Sequence, residues 1–133
     1  MQPATKIRAR FAETDQMGVV HHSHYVVWCE AARVEWLRQR GVSYKEIEDA
    51  GVSLAVSAFA ITYRRAVLFD DEITIHARVT ELRSRRIAFT YDLLHADDSV
   101  AATATSVHVP TDRTGRAIRL PSHWLTVFEQ LVQ

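Results

Sequence analysis

The chain has 133 residues, enough for one compact domain spanning 1–133, and its 47% hydrophobic content supports a buried core. Sixteen lysines and arginines balance sixteen aspartates and glutamates. With no global field to hold a polyanion, bulk nucleic-acid binding is not expected, and any anionic ligand has to be held by a local cluster.

The first ten residues carry no apolar stretch of signal-peptide length, and no run of about 18 apolar residues occurs anywhere, so neither export nor a membrane span is expected. The single Cys29 cannot close an intramolecular disulfide, which points to a reducing, cytoplasmic setting.

In chain order, Lys6 to Phe11 reads as a short strand ahead of a turn. From Tyr25 to Leu37 only Glu30, Arg33 and Glu35 are charged, so a helix over about 23–40 is apolar nearly all round and is expected to be buried. Ser23 is its candidate N-cap, Arg38 and Arg40 suit its C-terminal end, and Gly41 can end it in the left-handed conformation. Glu30 and Arg33, three residues apart, predict an internal ion pair. Ser43-Tyr-Lys-Glu46 is a capping-box pattern for a second, shorter helix that Gly51 stops.

Beyond Gly51 the period changes to two. Leu54 to Arg65 alternates imperfectly, with Phe59, Ile61 and Tyr63 on one side. Ile73, Ile75, Ala77 and Val79 alternate with polar residues, Ile87, Phe89, Tyr91 and Leu93 repeat the pattern, and a small, β-branched run covers Val100 to Val109. Polar interruptions at Arg83–Arg86 and Ala96–Ser99 are of hairpin length, so the last three of five strands should form an antiparallel meander. A sheet that buries one long helix has to curve around it, which is an α+β architecture. Its remaining face and edges need cover, and a homo-oligomer would supply it.

Read as residues alone, Asp15 and Gly18 are ordinary turn formers. His21, His22 and His24 crowd together, but neighbours at a helix entry point different ways, so no metal site is expected. Arg83, Arg85 and Arg86 at the hairpin fit either a solvated turn or a phosphate contact. Arg113, Arg116 and Arg119 fit an exposed loop around Gly115 and Pro121.

Phe11, Glu13, Thr14, Asp15, Gly18, Val19, Val20, His22, Tyr25, Glu30 and Arg33 together match Tyr/Phe-x-Glu-Thr-Asp-x-x-Gly-Val-Val-x-His-x-x-Tyr followed by a helix with Glu-x-x-Arg. This pattern resembles the 4-hydroxybenzoyl-CoA thioesterase family, nearest to its branch of small bacterial acyl-CoA thioesterases associated with the Tol-Pal envelope system. The resemblance covers roughly residues 5–130 and is most specific over 11–40.

It implies a hotdog fold, a five-stranded antiparallel sheet wrapped around a long central helix, with active sites built between subunits of a homodimer or homotetramer. It further implies hydrolysis of an acyl-CoA, with Asp15 as nucleophile or general base and the His22 backbone amide polarising the carbonyl. The His22 side chain is a further catalytic candidate, Val19, Tyr25 and Phe59 would hold the acyl group, and Arg85 and Arg86 the coenzyme A phosphates. No cofactor is expected, since coenzyme A is part of the substrate. Two competing readings are a dehydratase of the same fold, against which the Asp15 motif argues, and a non-catalytic acyl-CoA binder or envelope-complex interaction protein.

Overall fold

A computed structural model describes residues 4–132. Strand β1 (Thr5–Arg8) is followed by a single 3-10 turn at Phe11–Glu13, then by α1 (Ser23–Gln39) and α2 (Tyr44–Asp49). Strands β2 (Ser53–Tyr63), β3 (Glu72–Arg83), β4 (Arg86–His95) and β5 (Val100–Thr111) come next, and α3 (Ser122–Leu131) closes the order. The five strands form one sheet in the order β1-β3-β4-β5-β2, antiparallel throughout. The expected meander is β3-β4-β5. No helix among the described residues is long and apolar enough to cross a membrane.

Alternation sets which strand face meets the helix. Ile73 and Ile75 on β3, and Ile87, Phe89, Tyr91 and Leu93 on β4, are all buried. They face Tyr25, Trp28, Cys29, Ala32, Trp36 and Leu37, the buried stripe of α1, whose spacing follows the helical period. Trp36 meets Phe89 edge to face with ring centroids 5.5 Å apart.

The uniform apolarity of α1 predicts burial all round, but only one face is covered. Val26, Val27 and Ala31 are exposed, because a sheet can wrap one side of a single helix and no more.

Other local expectations are met in part and revised in part. The first strand ends at Arg8, because Glu13 turns back to accept from the Arg10 N–H (2.8 Å) and draws Phe11–Glu13 into the 3-10 turn. Ser23 is the first helical residue rather than the cap. The cap acceptor is the imidazole Nδ1 of His21, which takes the Ser23 N–H at 3.2 Å. The α2 capping box forms as predicted, with Ser43 Oγ accepting from Glu46 N–H at 3.1 Å.

β2 alternates poorly because a bulge lies between Val56 and Ala58. The extra residue switches the helix-facing set from Leu54 and Val56 to Phe59, Ile61 and Tyr63. Finally, α3 has no counterpart in the sequence reading. Trp124 and Phe128, four apart after Pro121, were its signal, and both are buried.

The predicted Glu30–Arg33 ion pair does not form: Glu30 is exposed on the rim of α1, while Arg33 turns into the core and donates to Tyr91 Oη at 3.0 Å. Tyr91 Oη meets Ser106 Oγ at 2.6 Å, Ser106 Oγ meets His108 Nε2 at 2.8 Å, and His108 Nδ1 meets the Leu54 carbonyl at 3.3 Å. A guanidinium only donates and a carbonyl only accepts, so the ends fix the direction of every bond between them. Tyr91 donates to Ser106, Ser106 donates to His108 Nε2, and His108 is the neutral Nδ1–H tautomer.

Burial, then the positive charge of Arg33, lowers the His108 pKa to about 4, against an effect in the other direction from Leu54. Its unfolded value is near 6.5, so between these limits the unfolded chain binds a proton that the folded chain refuses. Stability therefore falls as pH drops from 6.5 toward 4, by roughly 3 kcal/mol for this one group. Urea midpoints at pH 7 and pH 4.5 should separate clearly for the wild type and by markedly less for His108→Gln. A separation of the same size in both proteins would remove His108 as the cause.

Candidate active site

The segment between the 3-10 turn and α1 is a tight loop held by its own backbone. Asp15 N–H donates to the Val19 carbonyl (2.9 Å), and Gly18 N–H donates to the Asp15 carbonyl (3.0 Å). Gly18 sits at φ 80°, in the left-handed region that a tight return favours for glycine. Asp15 Oδ1 accepts from the Met17 N–H at 2.8 Å, which orients the carboxylate. No second protein donor is recorded on Oδ2 among the described residues, and the side chain is exposed.

Two anchors fix this loop to the body. Val20 N–H donates to the Val67 carbonyl at 2.8 Å, and Val19 bridges to Leu68. The second anchor is Glu13, which is buried and accepts from Trp28 Nε1 at 2.9 Å and from the Arg10 amide at 2.8 Å. Burial pushes the Glu13 carboxyl up, but the hydrogen bonds from the Arg10 backbone, Trp28 and the Arg10 side chain, with the Arg10 charge, outweigh it. The net pKa lies below the usual value, so Glu13 is a carboxylate at neutral pH.

Asp15 opens onto a cavity of about 370 Å³, lined also by Val19, His22, Tyr25, Tyr63, Arg64 and Arg65. His22 occupies the cap position of α1 without a side-chain cap bond. Among the described residues nothing accepts from its N–H, as expected for an early amide of a helix. That amide carries the partial positive charge of the helix N-terminus, and His22 and Asp15 line the same cavity. Tyr25 is buried and meets Tyr63 edge to face at 5.0 Å, forming the inner wall.

Of the residues singled out from sequence, Asp15, Val19, His22 and Tyr25 are thus brought together. Phe59 does not line this cavity. It lies two helix-facing places along β2 from Tyr63, half-buried against the core. Arg85 and Arg86 are farther off. The β3–β4 hairpin sits at the Arg86 end of β4, whereas Tyr63 pairs with Ala102 and Ala102 with Leu93 near the other end. Seven residues of strand separate the two levels, roughly 20 Å. Arg86 Nε contacts Glu81 Oε1 at 2.8 Å, and Arg85 is exposed.

Tyr63, Arg64, Arg65 and Ala66 were not foreseen as site residues. They reach the cavity because β2 ends beside the loop, and only the alternation of Phe59, Ile61 and Tyr63 hinted at it. Arg65 is engaged by Asp97 Oδ2 (2.9 Å) and Ser99 Oγ (2.6 Å), which ties the cavity wall to the β4–β5 turn.

Residues 9–128 match the family described as the thioesterase-like superfamily. The acyl-CoA thioester hydrolase YbgC of Escherichia coli is 28% identical over 125 residues, covering 93% of this chain and 93% of that protein. Two solved structures superpose with TM-scores of 0.91. One is the DHNA-CoA thioesterase of Staphylococcus aureus, 26% identical over 97% of this chain and 89% of that one. The other is protein TT1821 of Thermus thermophilus, 35% identical over 98% and 99%.

Proposed function

Because this chain belongs to the thioesterase-like superfamily and has its hotdog fold, we propose that it hydrolyses an acyl-CoA thioester to a free acid and coenzyme A. The observation that carries this is one cavity lined both by a carboxylate, Asp15, and by His22, the residue at a helix N-terminus whose amide is unpaired among the described residues. The names of the relatives at 26–28% identity agree with it.

As a nucleophile, Asp15 attacks the thioester carbonyl carbon, the C–S bond breaks, coenzyme A leaves as thiolate, and water hydrolyses the mixed anhydride. As a general base it takes a proton from water that attacks the same carbon. Either route builds negative charge on the carbonyl oxygen, which the His22 N–H and the α1 dipole stabilise. The His22 imidazole would deliver a proton to the leaving sulfur. Val19 and Tyr25, which line the cavity, would hold the acyl end, with Phe59 farther along β2, and neither route uses a metal or a cofactor.

The motif over residues 11–40 favours the branch of small acyl-CoA thioesterases associated with the Tol-Pal envelope system. A cytoplasmic setting follows from the acyl-CoA substrate.

The working unit in this reading is a two-fold pair. β2 is an edge strand with one outer side uncovered among the described residues, and it carries the exposed Val56 and Tyr63. An edge strand that pairs with its own copy about a two-fold runs antiparallel to it. That arrangement turns the partner's hairpin end toward this chain's Asp15, so Arg85 and Arg86 would act across the interface on the coenzyme A phosphates.

Free-thiol release from short, long and aromatic acyl-CoAs tests the reaction, and binding without release would favour the non-catalytic reading. For the arginines, Arg85→Ala with Arg86→Ala should raise KM for acyl-CoA about tenfold, as loss of charge-assisted bonds implies. The same variant should leave KM for an acyl-pantetheine nearly unchanged. An equal rise for both substrates would count against phosphate contact.

A further inference from the structure

A second cavity, of about 170 Å³, lies along α1 toward its C-terminal half and is lined by Glu30, Arg33, Leu37, Leu54, Val56 and Phe89 among others. A space of this size holds a group as large as benzene. Its polar lining is Glu30, the Tyr44 hydroxyl, which accepts from the Leu54 N–H at 3.0 Å, and the half-buried guanidinium of Arg33, which has no ion-pair partner among the described residues. A charge taken partly out of water calls for a counterion, and Tyr91 Oη satisfies only one of five N–H donors. Glu30 lines both this cavity and the open groove along α1, is exposed to water, and makes no ion pair with Arg33 in the single chain.

The helix-facing row of β2 runs Leu54, Val56, Phe59, Ile61, Tyr63, from this cavity to the one that holds Asp15. In one chain the two cavities stand more than 20 Å apart along the strand, at about 3.3 Å per residue over seven or more residues. In an antiparallel two-fold pair the Tyr63 end of one β2 meets the Leu54–Val56 end of the other. Each Arg33 cavity then adjoins the Asp15 cavity of the partner subunit.

We propose that this cavity receives the far end of the acyl group cleaved in the partner subunit, and that Arg33 selects acyl groups ending in a carboxylate, the mono-thioesters of dicarboxylic acids. The inference rests on the thioesterase reading and its two-fold pair. Phe59, midway along the row, is the wall over which the acyl chain passes, which accounts for its lining neither cavity.

The experiment compares kcat/KM for glutaryl-, adipoyl- and suberoyl-CoA with pentanoyl-, hexanoyl- and octanoyl-CoA. At least one carboxylated substrate should exceed its unsubstituted match tenfold or more, and Arg33→Met should cut that ratio at least tenfold while Arg33→Lys restores part of it. Should Arg33→Met not fold, Glu30→Gln decides: loss of this lining carboxylate should raise the ratio, and an unchanged or lower ratio overturns the proposal. It is equally overturned if the wild type cleaves every unsubstituted substrate as fast as its carboxylated match, or if Arg33→Met leaves the ratio where it was. Cleavage of acyl-CoAs without this discrimination sinks the selection by Arg33 alone, whereas no cleavage of any of the six sinks the thioesterase reading with it.

Discussion

Asp15→Asn should fold as the wild type does and lose about 10²–10⁴ of the rate of free-thiol release, the range a positioned acid-base group contributes. The substitution keeps size and keeps an Oδ1 acceptor for the Met17 N–H, so the turn at Gly18 has no reason to open. What it removes is the negative charge and the basic lone pair, which nucleophilic attack and proton abstraction both require. His22→Ala is the informative contrast. It deletes the imidazole but leaves the backbone N–H where it is, so an oxyanion held by that amide survives and the loss should be milder than for Asp15→Asn. Rates measured on one acyl-CoA for the three proteins, with matched circular dichroism spectra, decide the matter. Equal rates for wild type and Asp15→Asn would end the mechanism.

The role proposed for Asp15 is not legible from its own residue type. Asp followed by Gly three places later is turn chemistry, and the loop does use Asp15 in that way. The functional meaning came from the motif around it, and the geometry from a non-local event, the anchoring of Val20 on Val67 beside the end of β2. Local signals were read well where they were local. The α2 capping box, the glycine stop at Gly51 with φ 87°, and the period-two runs of β3 and β4 appear where the residues put them.

Signals that depend on a distant partner were misread. Arg33 is three residues from Glu30, yet the core offers a hydroxyl chain through Tyr91 and Ser106, and rotation of α1 points the guanidinium there. β2 looked irregular because a one-residue bulge breaks its phase, and a bulge is set by the neighbouring strand rather than by the strand's own sequence. Val26, Val27 and Ala31 make α1 look like an all-buried helix, whereas in one chain they face outward.

A second uncovered apolar surface, at the β2 edge, leads to the second large effect. Val56 is 52% exposed and Tyr63 48% exposed, on the helix-facing row of an edge strand whose other members pack on the core. Exposed apolar groups at an open strand edge are what a subunit interface covers. Because the proposed two-fold pair repeats every change, Val56→Glu would place two carboxylates in one interface and desolvate both. Burying an unpaired charge costs several kcal/mol per ion, enough to raise the dimer dissociation constant by about 10³-fold or more. Light scattering should therefore find the wild type at twice the 15.2 kDa chain mass or a multiple of it, and Val56→Glu at the chain mass. Val56→Ala, which removes area but adds no charge, should stay associated. Activity should fall with the mass of Val56→Glu, since Asp15 would lose the opposite wall of its site and the arginines across it. A wild type that runs as a monomer with full activity would overturn the two-fold site, and a monomeric Val56→Glu with undiminished turnover would show that one chain is sufficient for hydrolysis.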